Sequence, residues 1–114
     1  MEFCVDDNGV LLKVNDMKDT DTKIILPEGI TRIGSGAFFG NKNIKEVVFP
    51  DSVILISEEA FRGCSNLEKV TFSKHLEDIC AYAFEECISL KEIDLSKSPL
   101  EAYFEYYHKN FWYL

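Results

Sequence analysis

The sequence predicts a repeat solenoid, mainly β or α/β, built as a stack of coils with one parallel strand in each. Three observations predict it. Residues 25–47, 48–70 and 71–93 are one 23-residue unit in three versions. Their apolar columns coincide: Leu26, Phe49 and Phe72; Ile30, Val53 and Leu76; Ile33, Ile56 and Ile79; Ile44, Leu67 and Leu90; Val47, Val70 and Ile93. An alanine and phenylalanine pair also recurs at one phase, as Ala37 with Phe38, Ala60 with Phe61, and Ala83 with Phe84. A fixed period between about 20 and 50 residues marks folds in which each unit buries its apolar side only against its neighbours.

Taken in order, the chain opens on a hairpin. Phe3 and Val5 alternate with polar residues, Asp7, Asn8 and Gly9 supply a turn that tolerates positive φ, and Val10, Leu12 and Val14 alternate again. Phe3 holds the phase of Leu26, and the hairpin is expected to cap a first coil whose apolar face is otherwise bare. Residues 15–22 are polar and read as a loop. Each unit then begins with an extended run, such as Lys45, Glu46, Val47, Val48 and Phe49, expected to be its single strand. Proline at 27 and 50, with Ser73 in the third copy, closes that strand because proline cannot extend a ladder. A second short apolar spacing, Ile30 to Ile33 and its equivalents, leads to the alanine and phenylalanine pair. That pair reads as a short helical or 3₁₀ turn with phenylalanine as the plug between coils. Gly40 and Gly63 end the turn, and Glu86 has the same phase in the third copy. After residue 96 the period stops. Ser98 and Pro99 resemble a helix start, and Leu100, Tyr103, Phe104, Tyr107 and Phe111 fall on one helical face, an aromatic helical cap. The expected division is one domain: 1–24 as N-terminal cap, 25–96 as repeats, 97–114 as C-terminal cap.

With 114 residues the chain can build one core without staples. Its net charge of -8, from 20 acidic and 12 basic residues, repels phosphate backbones and anionic lipid, so direct nucleic-acid binding is not expected. No apolar run reaches the roughly 18 residues that span a bilayer, so no membrane insertion is expected, and no leader is visible. As written the chain is expected in the cytoplasm, and at the cell surface or secreted if a leader precedes it. Cys64 and Cys87 lie one period apart in the column of Asn41 and read as small structural residues, with a disulfide between neighbouring coils as the alternative. No Cys-x-x-Cys occurs and His75 and His108 are the only histidines, so no metal is expected. No nucleophile elbow, phosphate-binding glycine loop or metal-binding helix motif occurs, so neither enzyme activity nor a cofactor is expected.

Leu26, Pro27, Ile30, Ile33, Ala37, Phe38, Asn43, Ile44 and Val47, repeated as Phe49, Pro50, Val53, Ile56, Ala60, Phe61, Cys64, Asn66, Leu67 and Val70, carry a family likeness. The third copy matches through Leu76, Ile79, Ala83, Phe84, Cys87, Leu90 and Ile93. These copies resemble the BspA-type leucine-rich repeats of bacterial and some protozoan surface proteins. The resemblance implies a short curved solenoid and a role in adhesion or protein binding. The chain departs from the family pattern in having few repeats, no visible leader or wall anchor, and an aromatic closing segment.

Three surfaces could bind. The residues between the inward strand positions should line the concave face, and two of their columns alternate in sign: Lys45, Glu68, Lys91, and Lys23, Glu46, Lys69, Glu92. With Val48 and Thr71 beside them, Lys45, Glu46, Glu68, Lys69, Lys91 and Glu92 form the expected site for a protein partner, since solenoids bind along that face. The alternative is an acidic patch of Glu58, Glu59, Glu85 and Glu86, unpaired and only diluted by Arg62, on a small inhibitor or decoy that blocks a basic, nucleic-acid-handling protein. The third is the aromatic tail, where Tyr107, Phe111 and Trp112 could join two copies of the chain.

Overall fold

The computed structural model describes residues 1–94. They form strands β1 (Glu2–Val5), β2 (Val10–Asn15), β3 (Lys23–Ile25), β4 (Arg32–Ile33), β5 (Glu46–Val48), β6 (Leu55–Ile56), β7 (Lys69–Thr71), β8 (Asp78–Ile79) and β9 (Glu92–Asp94). Two sheets result, in the orders β3-β5-β7-β9 and β1-β2-β4-β6-β8, parallel throughout except between β1 and β2. The mainly-β solenoid is therefore present, but a full coil carries two strands rather than the one expected. The second strand is two residues long, as in Arg32–Ile33, too short for a period-two alternation to declare itself.

The repeat period follows from the register. Ile24, Val47 and Val70 stand side by side and are fully buried, as are Ile33 and Ile56 in the other sheet. Between the sheets the Phe38, Phe61 and Phe84 rings stack at 4.8 and 5.1 Å, tilted by 7° and 1°. Phe49 and Phe72 meet edge-on at 5.4 Å and reach the same stack. The phenylalanines thus act as plugs between coils, which buries their large apolar area and adds ring contacts. Where the first two copies have Pro27 and Pro50, the buried Ser73 hydroxyl donates to the Val53 carbonyl at 2.5 Å.

The turn that carries these rings is not helical; among the described residues there is no helix. Its amides alternate between two kinds of acceptor. Ala37, Phe39 and Asn41 donate three residues back, to Gly34, Gly36 and Phe38, while Gly36, Phe38 and Gly40 donate to Glu58, Ala60 and Arg62 of the next coil. A helix would turn all of these groups along one axis. Left-handed residues prevent that, at Gly36, Glu59 and Tyr82 and again at Gly40, Gly63 and Glu86, with φ between 58° and 77°. The coils are consequently sewn together by backbone along the turns as well as the sheets.

The hairpin forms with Gly9 at φ 80°. β2 adds to the second sheet by pairing Val10 with Arg32 and Leu11 with Ile33, and β1 lies outside it. Phe3 consequently faces Val14 and does not continue the Leu26 column, although the spacing allowed it. Gly34 marks the join: a Cβ there would stand 2.6 Å from the Leu11 carbonyl, which accepts the Gly34 amide at 2.8 Å. The helical C-terminal cap expected over 97–114 lies outside the described residues.

Candidate functional site

The sheet β3-β5-β7-β9 turns every second side chain outward. Lys23, Glu46, Lys69 and Glu92 align in one column, and Ile25, Val48, Thr71 and Asp94 share the register position two residues on. Lys23 Nζ lies 3.8 Å from Glu46 Oε2, and Lys69 Nζ lies 3.9 Å from Glu92 Oε2. Such exposed pairs contribute only a few tenths of a kcal/mol up to about 1 kcal/mol. Ile25 is 65% exposed, and Val48 and Thr71 are half-buried, so the sheet offers an aliphatic strip beside a charged one. Lys45, Glu68 and Lys91 precede the strands and are exposed. Their amides donate to Thr22, Lys45 and Glu68 one coil earlier, which aligns the column, but among the described residues no ion pair joins the three side chains. At the end of the sheet a cleft of about 420 Å³ opens between Ile25, Pro27, Val48 and Pro50, with Glu28 and Asp51 on its rim; Lys74 pairs with Asp51 at 3.4 Å.

The acidic residues gather elsewhere, and differently from expectation. Arg62 is their centre. Its Nη1 lies 2.7 Å from Glu59 Oε2, its Nε 3.1 Å from Glu85 Oε2 and its Nη2 3.9 Å from Glu86 Oε1. The buried Glu85 Oε2 meets the guanidinium by charge rather than by an aligned hydrogen bond. The guanidinium also lies 5.8 Å above the Tyr82 ring, within cation–π range. The hydrogen bond to Glu59 raises the Arg62 pKa most; burial opposes it, and the charges of Glu85, Glu59 and Glu86 add to the rise. The patch is therefore not unpaired: Glu59, Glu85 and Glu86 share one cation, and exposed Glu58 stands apart. Reasoning from sequence missed Tyr82 and took Arg62 only as diluting the patch, not as its centre. The signal was present, since Arg62 stands three residues after Glu59 and one period before Glu85.

The cysteines belong to the scaffold. Cys64 and Cys87 are free, buried, and donate from Sγ to the Phe38 and Phe61 carbonyls at 3.0 Å each. In the same column the Asn41 side chain accepts from the Asn43 and Ile44 amides. The adjoining Cys87 thiol and burial push the Cys64 pKa upward. Burial, then the carboxylates of Asp78 and Glu58, push Cys80 upward too. Among the described residues no group of three or more His, Cys, Asp or Glu side chains is arranged to hold a metal, and no helix is long and apolar enough to cross a membrane. Tyr107, Phe111 and Trp112 lie outside the described residues.

Two sheets of parallel strands, repeated coil by coil, make the chain a solenoid in class. The chain belongs to the BspA type leucine-rich repeat family, whose family model matches residues 17–111 in 6 copies. No curated protein matches the chain significantly. Among solved structures it is similar to a Treponema pallidum leucine-rich repeat protein, at 25% identity and a TM-score of 0.69, with 81% of this chain and 45% of that one covered. A leucine-rich cell surface protein of Faecalibacterium prausnitzii A2-165 superimposes at 23% identity and a TM-score of 0.66, over 80% of this chain and 27% of its own. A Bacteroides ovatus leucine-rich repeat protein does so at 23% and 0.64, over 79% and 26%. The last two show the fold alone. The chain spans less than half the length of each of these structures.

Proposed function

We propose that the chain is a protein-binding module of adhesion type whose contact surface is the outward face of the sheet β3-β5-β7-β9. The observation that carries this reading is the pairing of two columns on one flat surface, the charged Lys23, Glu46, Lys69, Glu92 and the aliphatic-to-polar Ile25, Val48, Thr71. Apolar contact supplies affinity there and the ordered charges select the partner's register. Lys45, Glu68 and Lys91 extend the same face, and among the described residues no ion pair holds their charges from a partner. Membership of a repeat family typical of non-enzymatic binding, and frequent at the cell surface, supports the reading. The competing reading, an acidic inhibitor of a basic protein acting through Glu58, Glu59, Glu85 and Glu86, draws less support because Arg62 neutralises part of that patch.

Capture of partners from the source organism's surface and soluble fractions tests it, with two variants alongside the native chain. Val48→Asp combined with Thr71→Lys should abolish capture. Glu58→Lys combined with Glu86→Lys, both exposed and neither in the core, should leave it intact at high salt. The reverse pattern, together with loss in salt, would identify the acidic inhibitor instead.

A further inference from the structure

The stack is closed unevenly at its first coil. The hairpin adds β2 and β1 to one sheet only, so that sheet runs two strand spacings, roughly 10 Å, beyond the other. The other sheet simply stops at β3. Among the described residues β5 is the only strand in contact with β3. In parallel pairing alternate residues bond to opposite sides. Leu26 donates to Val48 at 3.0 Å and Thr22 accepts from Glu46 at 3.1 Å, so Ile24 between them faces β5 and the N–H and C=O groups of Lys23 and Ile25 face away from it. No hydrogen bond among the described residues occupies them. Beside that row of free groups stands Ile25, 65% exposed.

We propose that this open edge of β3 is a docking site for an extended segment of a partner protein, added in parallel. The segment carries an acidic residue opposite Lys23 and a β-branched residue opposite Ile25. Two observations define the occupant. A further coil does not fit, because a coil brings two strands and the place of its second is already held by β2; a lone strand does. Its chemistry can be read from within the molecule. β7 reads Lys69, Val70, Thr71, in the same order of types as Lys23, Ile24, Ile25 of β3, and the strand ahead of β7 is β5, which sets Glu46 against Lys69 and Val48 against Thr71. The vacant place ahead of β3 therefore suits a glutamate, an apolar residue over the hairpin, and a β-branched residue. Lysine at a sheet edge ordinarily guards against strand addition. Lys23 makes that guard selective: it repels a basic segment and pairs with an acidic one, while main-chain bonds supply affinity. The site is the main-chain edge of β3; its Lys23 and Ile25 side chains also belong to the outward face proposed above, but the edge does not depend on that reading.

The probe is a synthetic peptide copying residues 44–50, titrated into the full chain and followed by amide NMR and hydrogen exchange. The proposal expects saturable shifts centred on residues 22–26 and slowed exchange at the Lys23 and Ile25 amides. Lys23→Glu should weaken this peptide about fivefold to tenfold and favour a peptide in which glutamate is replaced by lysine, because a like pair replaces an opposite one. Ile25→Pro removes an N–H that bonds nothing among the described residues, so it should abolish peptide binding while thermal unfolding is unchanged. Shifts that map to β9 or to the sheet face, indifference to both variants, or no saturable binding would overturn the proposal. So would sedimentation showing a dimer that Ile25→Pro separates, since the occupant would then be a second copy.

Discussion

In the first copy of the repeat the bends fall at Gly29, Gly34, Gly36 and Gly40; at the same four positions the third copy has His75, Cys80, Tyr82 and Glu86. At the last two of these positions the backbone nevertheless takes the same path, whereas Gly29 has a φ of 99° and His75 is not left-handed. Gly36 and Tyr82 have φ of 64° and 59°, and Gly40 and Glu86 have 69° and 63°. For residues with a Cβ that conformation costs about 1–2 kcal/mol each. What the third copy gains is side-chain chemistry: Tyr82 lies under Arg62 and Glu86 beside it. The inward columns show no such exchange, for Phe38 and Phe84 or Ile33 and Ile79 are the same residues in the same places. Packing fixes the interior of every coil, whereas the bends can trade backbone ease for a surface group.

The comparison can be broken from the inside first. Phe61→Ala removes the middle ring of the stack, between Phe38 and Phe84, and should cost about 3–5 kcal/mol in urea unfolding, since it opens a cavity against both copies at once. Next comes the join to the hairpin. Gly34→Ala sets a Cβ against backbone, the Leu11 carbonyl, and should cost about 1–3 kcal/mol, with faster amide exchange in β2 as its local signature. The smallest effect carries the sharpest sign. Gly40→Ala meets no atom within 4 Å but must hold a left-handed φ, and should destabilise by about 1 kcal/mol. Glu86→Gly, at the equivalent position, should stabilise by about 0.5–1 kcal/mol, because relief of strain exceeds the added entropy of the unfolded chain and a 3.9 Å exposed ion pair. Thermal unfolding of the two variants side by side checks the opposite shifts.

The inward columns were legible from sequence because burial demands the same residue class at every pass, so Leu26, Phe49 and Phe72 declare themselves by period alone. The hairpin was legible through Asp7, Asn8 and Gly9. Its destination was not: Phe3 shares a phase with Leu26, and only the parallel pairing of Val10 with Arg32 reveals which sheet it extends. Arg32–Ile33 and its equivalents were hidden by brevity. The turns looked helical because alanine and phenylalanine are compatible with a helix, and the left-handed residues that forbid it are Gly36 and Gly40 in the first copy, Glu59 and Gly63 in the second, and Tyr82 and Glu86 in the third. On the surface, the Lys23 to Glu92 column could be read at once from its period. The gathering of acids on Arg62 could not, because it combines a local pair with Glu59 and a pair one coil away with Glu85.

The most direct test of the sheet face as the contact surface is site-specific photocrosslinking. A benzophenone amino acid is placed at Thr71, on the outward column, or at Glu58, on the turns, and the chain is exposed to its source cells' proteins. A protein partner joined through Thr71 and absent from Glu58 is the result expected. Joining through Glu58 alone would contradict the account and move the function to the acidic turns.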